Sequence, residues 1–216
     1  RIAMLVMALM MIPVFVDVIL RYVSDGSLEG AYELEEFSLA LVSFLALASI
    51  QEGKGHINIT FVTDHCSERV RLLLETYVWC AGAPLLLTLA WRMAVAAMAK
   101  YSVGEVSFDL ELPIWPVMVV CSIGMLLFGL FTLAHALECL GRCFREGHGF
   151  GGLVALAAAV VTLSVPLWFR LLDISISAGA LGGLAMIVMM VLLFIGMPIG
   201  LSMALVGSLG LLLLQP

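Results

Sequence analysis

Apolar residues fill seven long runs of this chain, about 2 to 22, 33 to 50, 72 to 99, 113 to 139, 152 to 169, 176 to 196 and 198 to 214, separated by short polar or glycine-rich connections. A helix needs about 20 apolar residues to cross the hydrocarbon core of a bilayer, and the runs are of that order. None shows the two-residue alternation of a lipid-facing barrel strand. Each is therefore predicted to be a helix that satisfies its own backbone hydrogen bonds inside lipid. Between the second and third runs the stretch HINITFVTDHCSERVRLLLETY interleaves apolar and polar residues. This predicts an interfacial amphipathic helix leading into a long, tilted third span, with Pro84 as a kink point. The fold class is all-α integral membrane, with about seven transmembrane helices: a four-span bundle, a connecting span and two further helices.

Composition agrees with that pattern. Of 216 residues 63% are hydrophobic and 12% charged, too little polar surface to cover a water-soluble globule of this size. The opening run is too long for a signal h-region and lacks an A-x-A site, so it reads as a retained helix. The formal net charge is -6 and no basic stripe is present, which sets nucleic acid aside as a partner. Five scattered cysteines do not form a disulfide framework and read as small packing residues, and thirteen methionines without a Met-x-x-Met array read as packing filler. No Ser-His, His-Glu-x-x-His or two-aspartate constellation lies in the spans, so an intramembrane enzyme lacks its parts. The start at Arg1 and the end straight after an apolar run read as part of a longer polypeptide.

Lysine and arginine set the orientation. With the amino terminus inside, the inner side collects Arg1, Lys54, Arg69, Arg71, Arg142 and Arg145, against Arg21, Lys100 and Arg170 outside. The outer loops are then acidic, with Asp25, Glu29 and Glu33 in the first and Glu105, Asp109 and Glu111 in the second. Composition changes near Gly147, where HGFGG reads as a flexible break. The predicted organisation is a four-helix membrane unit over 1–146, a linker with a connecting helix over 147–170, and a second unit from 171 to 216.

Particular residues support a family resemblance. Asp17-Val-Ile-Leu-Arg21-Tyr22 closes the first span, Glu35-Glu36 enters the second, Gln51-Glu52-Gly53-Lys54-Gly55-His56-Ile57 follows it, and Leu112-Pro113-Ile114-Trp115 opens the fourth. In this order and spacing they make the first unit resemble the small membrane subunit of tripartite ATP-independent periplasmic (TRAP) transporters. The final stretch, LLFIGMPIGLSMALVGSLGLLLL, is similar to the start of the large subunit of such systems, an elevator-type protein, with its Gly-x-Pro-Ile-Gly turn between two helices. A four-span unit ends inside, so a fusion needs one more crossing, and the run at 152–169 supplies it.

The resemblance implies a sodium-driven secondary transporter, monomeric, in the bacterial inner membrane. A periplasmic substrate-binding protein would deliver an organic anion to it: a carboxylate, a sialic acid or a sulfonate. It implies that this segment is static scaffold and docking platform, next to the remainder of the large subunit and the lipid bilayer. It also implies no cofactor and no substrate site here, with sodium ions bound in the large-subunit portion beyond this segment. The alternative is a non-transporting membrane assembly or sensor subunit built on the same four-helix bundle.

Ionisable groups inside a span cost several kcal/mol unless paired, which draws attention to Asp17 and Arg92. Both lie roughly 6–12 Å below the outer interface at 1.5 Å per residue. A structural polar cluster of Asp17, Arg21, Glu35, Glu36 and Arg92 would lock the first three spans together; snorkelling of Arg92 and an ion relay are the alternatives. Glu52, Lys54 and His56 form an inner-face turn that reads as capping, with pH sensing or substrate contact as the alternative. His135, Cys139, Cys143 and His148 are spaced H-x3-C-x3-C-x4-H, which invites a zinc reading but lacks paired knuckles; metal is not assigned, and neither is haem. The acidic residues Asp25, Glu29, Glu33, Glu105, Asp109 and Glu111 read singly as solvated caps. Together they could steer a basic patch on the binding protein, an attraction that high salt would weaken. Gly179 and Gly183, and Gly196 and Gly200, have the G-x-x-x-G spacing that permits close helix approach, and Pro198 is placed at the first position of the last span.

Overall fold

The computed structural model describes residues 2–24, 26, 28, 30–52, 67–171 and 178–214. Seven helices make up this part: α1 Ile2–Ser24, α2 Ala31–Glu52, α3 Glu68–Val103, α4 Trp115–Arg145, α5 Gly149–Leu171, α6 Ala178–Phe194 and α7 Ile199–Leu214. They coincide with the seven apolar runs, and among the described residues the strand-like pairing consists of an isolated bridge between Val106 and Pro113. Lys54, His56 and most of the expected interfacial helix lie outside the described residues, as do Asp25 and Glu29.

Among the described residues two helices are long and apolar enough to cross a membrane by length and composition, α3 and α4; shorter apolar stretches run over Gly149–Ser164, Gly179–Phe194 and Ile199–Leu211. At 1.5 Å per residue α3 is about 54 Å long, well beyond the hydrocarbon thickness, and it continues through Pro84 as one helix. Many large apolar side chains are exposed. The fully buried positions include the small residues Ala81, Ala83, Cys139, Cys143, Thr76, Thr132 and Ser202 together with the larger Met197 and Leu205, while Leu9, Phe15, Met98, Leu137, Val160, Met186 and Ile187 are exposed. Lipid tails are as apolar as leucine, so helices in a bilayer gain by close backbone approach rather than by hiding large side chains.

The chain folds into two compact units. One comprises Arg1–Lys54 with Leu86–Gly129, the other Gly55–Leu85 with Leu130–Pro216. In the first, α1 packs on α2, and α4 meets α2 at Gly124. A Cβ there would stand 2.5 Å from the Phe44 carbonyl oxygen. In the second, α7 packs on α5 and α6. Gly82 of α3 accepts Leu201 of α7, and Gly151 and Gly152 of α5 lie against Leu73 and Cys143.

The HGFGG stretch is a tight helical turn rather than a flexible break. Gly147, at φ 76°, ends α4, with the His148 amide donating to the Cys143 carbonyl at 2.9 Å and the Gly147 amide to Phe144. The His148 carbonyl then receives the Gly152 amide and starts α5. The turn between α6 and α7 repeats the arrangement: Gly196 adopts φ 94°, and the Met197 amide donates to the Leu192 carbonyl at 3.1 Å. Pro198 caps α7, its carbonyl accepting the Ser202 amide, one position before the expected one.

Candidate functional site

The first unit gathers its polar chemistry where α2 begins and where α3 gives way to α4. Helix α3 ends because Gly104 takes a left-handed conformation, φ 67°. This lets the Glu105 amide reach the Lys100 carbonyl and the Gly104 amide reach Tyr101, both at 3.1 Å. Lys100 Nζ also pairs with the Glu105 carboxylate, and Tyr101 meets Trp115 edge-on, ring centroids 5.2 Å apart, tying the end of α3 to the start of α4. Between them the chain makes a small hairpin. The Val106–Pro113 bridge closes it, the Ser107 amide donates to the Leu112 carbonyl at 2.8 Å, and the Leu112 amide donates to Ser107 Oγ at 3.1 Å. Glu111 completes the turn in the left-handed region at φ 51°, an uncommon conformation for a residue with a side chain.

A single carboxylate holds this hairpin in place. Glu33, in the first turn of α2 and ahead of the apolar stretch that begins at Phe37, accepts the Ser107 hydroxyl at 2.6 Å on Oε2. It also accepts the Asp109 amide at 2.7 Å on Oε1 and the Leu110 amide at 3.0 Å on Oε2. The residue is 7% exposed. The hydrogen bond from Ser107, helped by the backbone amides and opposed by burial, holds its carboxyl below the ordinary glutamate value. Its position at a helix amino terminus favours the same charged form. Beside it, Leu110 covers Gly30. A Cβ on Gly30 would stand 2.3 Å from Leu110 Cγ, and the residue's φ of 76° also calls for glycine.

Asp17, near the end of α1, makes a corresponding tie. It is 8% exposed; Oδ2 pairs with Arg21 Nε at 2.8 Å, and Oδ1 accepts the Leu28 amide at 2.7 Å. Both oxygens are thus engaged by α1 and the segment after it. Of the five residues expected to cluster, the structure joins Asp17 and Arg21. Arg92 and Glu36 are exposed and Glu35 is half-buried. Among the described residues no ion pair reaches any of these three. Helix α1 packs on α2, and Asp17 ties α1 to the segment that leads into α2.

The expected docking carboxylates separate into distinct environments. Glu33 is spent inside the chain, and Glu105 is half-buried beside Lys100. Asp109 and Glu111 are exposed. Between the residues that Glu33 holds stands Phe108, 96% exposed. Neither Phe108 nor Ser107 was singled out by sequence reasoning. The available signal was one aromatic in an otherwise acidic connection, Ser-Phe-Asp-Leu-Glu-Leu-Pro, between two long apolar runs.

The histidine and cysteine series lies in the second unit, and its members have other contacts. Cys139 Sγ receives a guanidinium hydrogen bond from Arg142 at 3.2 Å, and Cys143 Sγ lies 3.4 Å from Thr76 Oγ1. His135 packs on Trp79 with Nδ1 3.1 Å from the Phe131 carbonyl oxygen. Among the described residues no group of three or more His, Cys, Asp or Glu side chains could hold a metal ion.

The described residues form an all-helical chain in which α3 and α4 are long and apolar enough to cross a membrane. Residues 10–142, more than half of the chain, match the family described as tripartite ATP-independent periplasmic transporters, DctQ component. The chain belongs to this family, the small membrane component of TRAP transporters, and is a transporter component rather than an enzyme. Such components work with a large membrane component, DctM, and a substrate-binding protein. No curated protein matches the chain in sequence.

Proposed function

We propose that this chain is the static scaffold and docking platform of a sodium-driven, binding-protein-dependent TRAP transporter for organic acid anions. It lies in the bacterial inner membrane as a seven-span protein with its amino terminus in the cytoplasm, and residues 171–216 begin a fused large subunit. The observation that carries the docking role is the Glu33 cage, which fixes the α3–α4 hairpin and leaves Asp109 and Glu111 exposed. Rigid presentation lowers the ordering cost of binding, and exposed carboxylates steer a partner with a basic patch. The distribution of lysine and arginine supports a periplasmic position for this hairpin.

The fusion is supported by α6 and α7. Gly179, Gly182, Gly183, Gly200, Gly207 and Gly210 have open space where a Cβ would project. Glycine surfaces of this kind admit close approach by further helices. Asp17, Arg21 and the inner-face residues Glu52, Lys54 and His56 serve structure, and sodium and substrate bind in the large-subunit portion.

Reconstitution of the whole transporter in proteoliposomes tests the reading. Uptake of a radiolabelled organic anion that requires both an inward sodium gradient and the binding protein is the expected result. Uptake independent of either overturns it, and recruitment of the binding protein without uptake favours the assembly or sensor alternative.

A further inference from the structure

We infer that Phe108 is the apolar anchor of the docking surface, seated on binding in a pocket of the soluble partner that is rimmed by lysine or arginine. This inference rests on the docking role proposed above and names the residue that dominates it. A phenyl side chain that is 96% exposed is costly in water unless something covers it. Phe108 is not at a loose tip, because the residues around it are fixed. Ser107 and the Asp109 and Leu110 amides are held by the Glu33 carboxylate, and Ser107 and Leu112 close the hairpin. The chain therefore presents one aromatic in a set position, flanked by the exposed carboxylates of Asp109 and Glu111 and by partly exposed Val106 and Leu112. An apolar centre with a charged rim is the anatomy of a protein–protein contact.

The bilayer surface is the other apolar acceptor, and the charge pattern opposes it. From Gly104 to Ile114 the loop carries Glu105, Asp109 and Glu111 and no lysine or arginine. Segments that lie in an anionic headgroup layer are rich in lysine and arginine. Burying Phe108 in lipid would bring Asp109 and Glu111 against like charge, whereas a basic-rimmed pocket would pair with them.

The test uses the full transporter in lipid nanodiscs and the periplasmic binding protein of the same system, with affinity read by biolayer interferometry. Phe108→Ala is expected to weaken binding about 30-fold, the size of an interface hot spot, while Phe108→Trp retains it. Asp109→Asn with Glu111→Gln is expected to slow association about two- to five-fold at low salt and to have little effect at high salt, as rim charges do. Because Phe108 is so exposed, its variants should keep the wild-type elution profile and thermal stability, which shows that any loss is local. Equal affinity of wild type and Phe108→Ala overturns the anchor while leaving the docking role intact. A wild-type transporter that does not bind the partner at all overturns the docking role itself. Brominated-lipid quenching of Phe108→Trp fluorescence beyond the quenching of the wild-type protein's own tryptophans assigns the residue to the bilayer and also overturns the anchor.

Discussion

Each of the two compact units has its own kind of internal contact. In the first, carboxylates at helix ends reach across sequence: Glu33 captures a hairpin more than seventy residues away, and Asp17 captures the Leu28 amide. In the second, hydroxyls bond carbonyls of their own helix, as when Thr76 donates to the Leu72 carbonyl or Ser202 to Ile199, contacts between helices are made by uncharged groups such as Tyr77 with Thr162, and close approach is made at glycines. Charge tied at a helix end can be kept outside the hydrocarbon, where it can organise an exposed loop. Hydroxyls bonded within their own helix and small residues suit helices that only need to pack. The first unit thus fixes a surface, and the second fixes neighbouring helices.

The sharpest way to break this contrast is at the glycines. Gly124→Ala places a methyl group against the Phe44 carbonyl oxygen, which is backbone and cannot rotate away. The expected cost is about 1–3 kcal/mol, seen as a lower melting temperature of the detergent-solubilised protein. Gly82→Ala in the second unit meets the Leu201 side chain, which can shift, and should cost less. Equal costs would remove the distinction between backbone-limited and side-chain-limited contacts.

Next in size is Glu33→Gln, which keeps the shape and removes the charge that accepts three donors. Proteolysis within the α3–α4 hairpin should become about tenfold faster as the loop opens, with the helices themselves unchanged by circular dichroism. The pH dependence has a defined sign. Hydrogen bonding from Ser107 holds the folded carboxyl below the ordinary value of 4.5. The stabilisation is therefore fully present above 4.5 and is lost as pH falls through the lower folded value. Protease sensitivity of the wild-type hairpin should rise in that acidic window, and a Glu33→Gln protein should show a smaller change there. Smallest of all, Tyr77→Phe removes the hydrogen bond to Thr162 Oγ1 at 3.0 Å. Thr162 keeps its bond to Ala158, so the expected loss is about 0.5–1.5 kcal/mol, measured by the same thermal melt.

The helices were legible in the sequence because hydropathy records each span locally; α2 and α7, for instance, begin within two residues of the expected starts. The acidic hairpin was legible as charge, but its organisation was not. Nothing in the local pattern distinguishes Glu33, which is buried in a cage, from Asp109, which is exposed, because that difference depends on a contact between distant segments. The same holds for Asp17. Its proximity in sequence to Arg21 was visible, whereas its bond to Leu28 depends on how the chain turns after α1. Glycine was misread for a related reason. In HGFGG it signals flexibility, yet Gly147 supplies a left-handed helix end and Gly151 and Gly152 supply close packing. Phe108 escaped notice because hydropathy counts an aromatic toward burial and cannot show that its neighbours are pinned while it is left exposed.

Hydrogen exchange at the Asp109 and Leu110 amides, in the transporter held in lipid nanodiscs at neutral pH, tests the Glu33 cage most directly. Slow exchange is expected at both sites in the wild-type protein and fast exchange in Glu33→Gln, with protection in α3 and α4 unchanged. Fast exchange at both amides in the wild-type protein would contradict the cage.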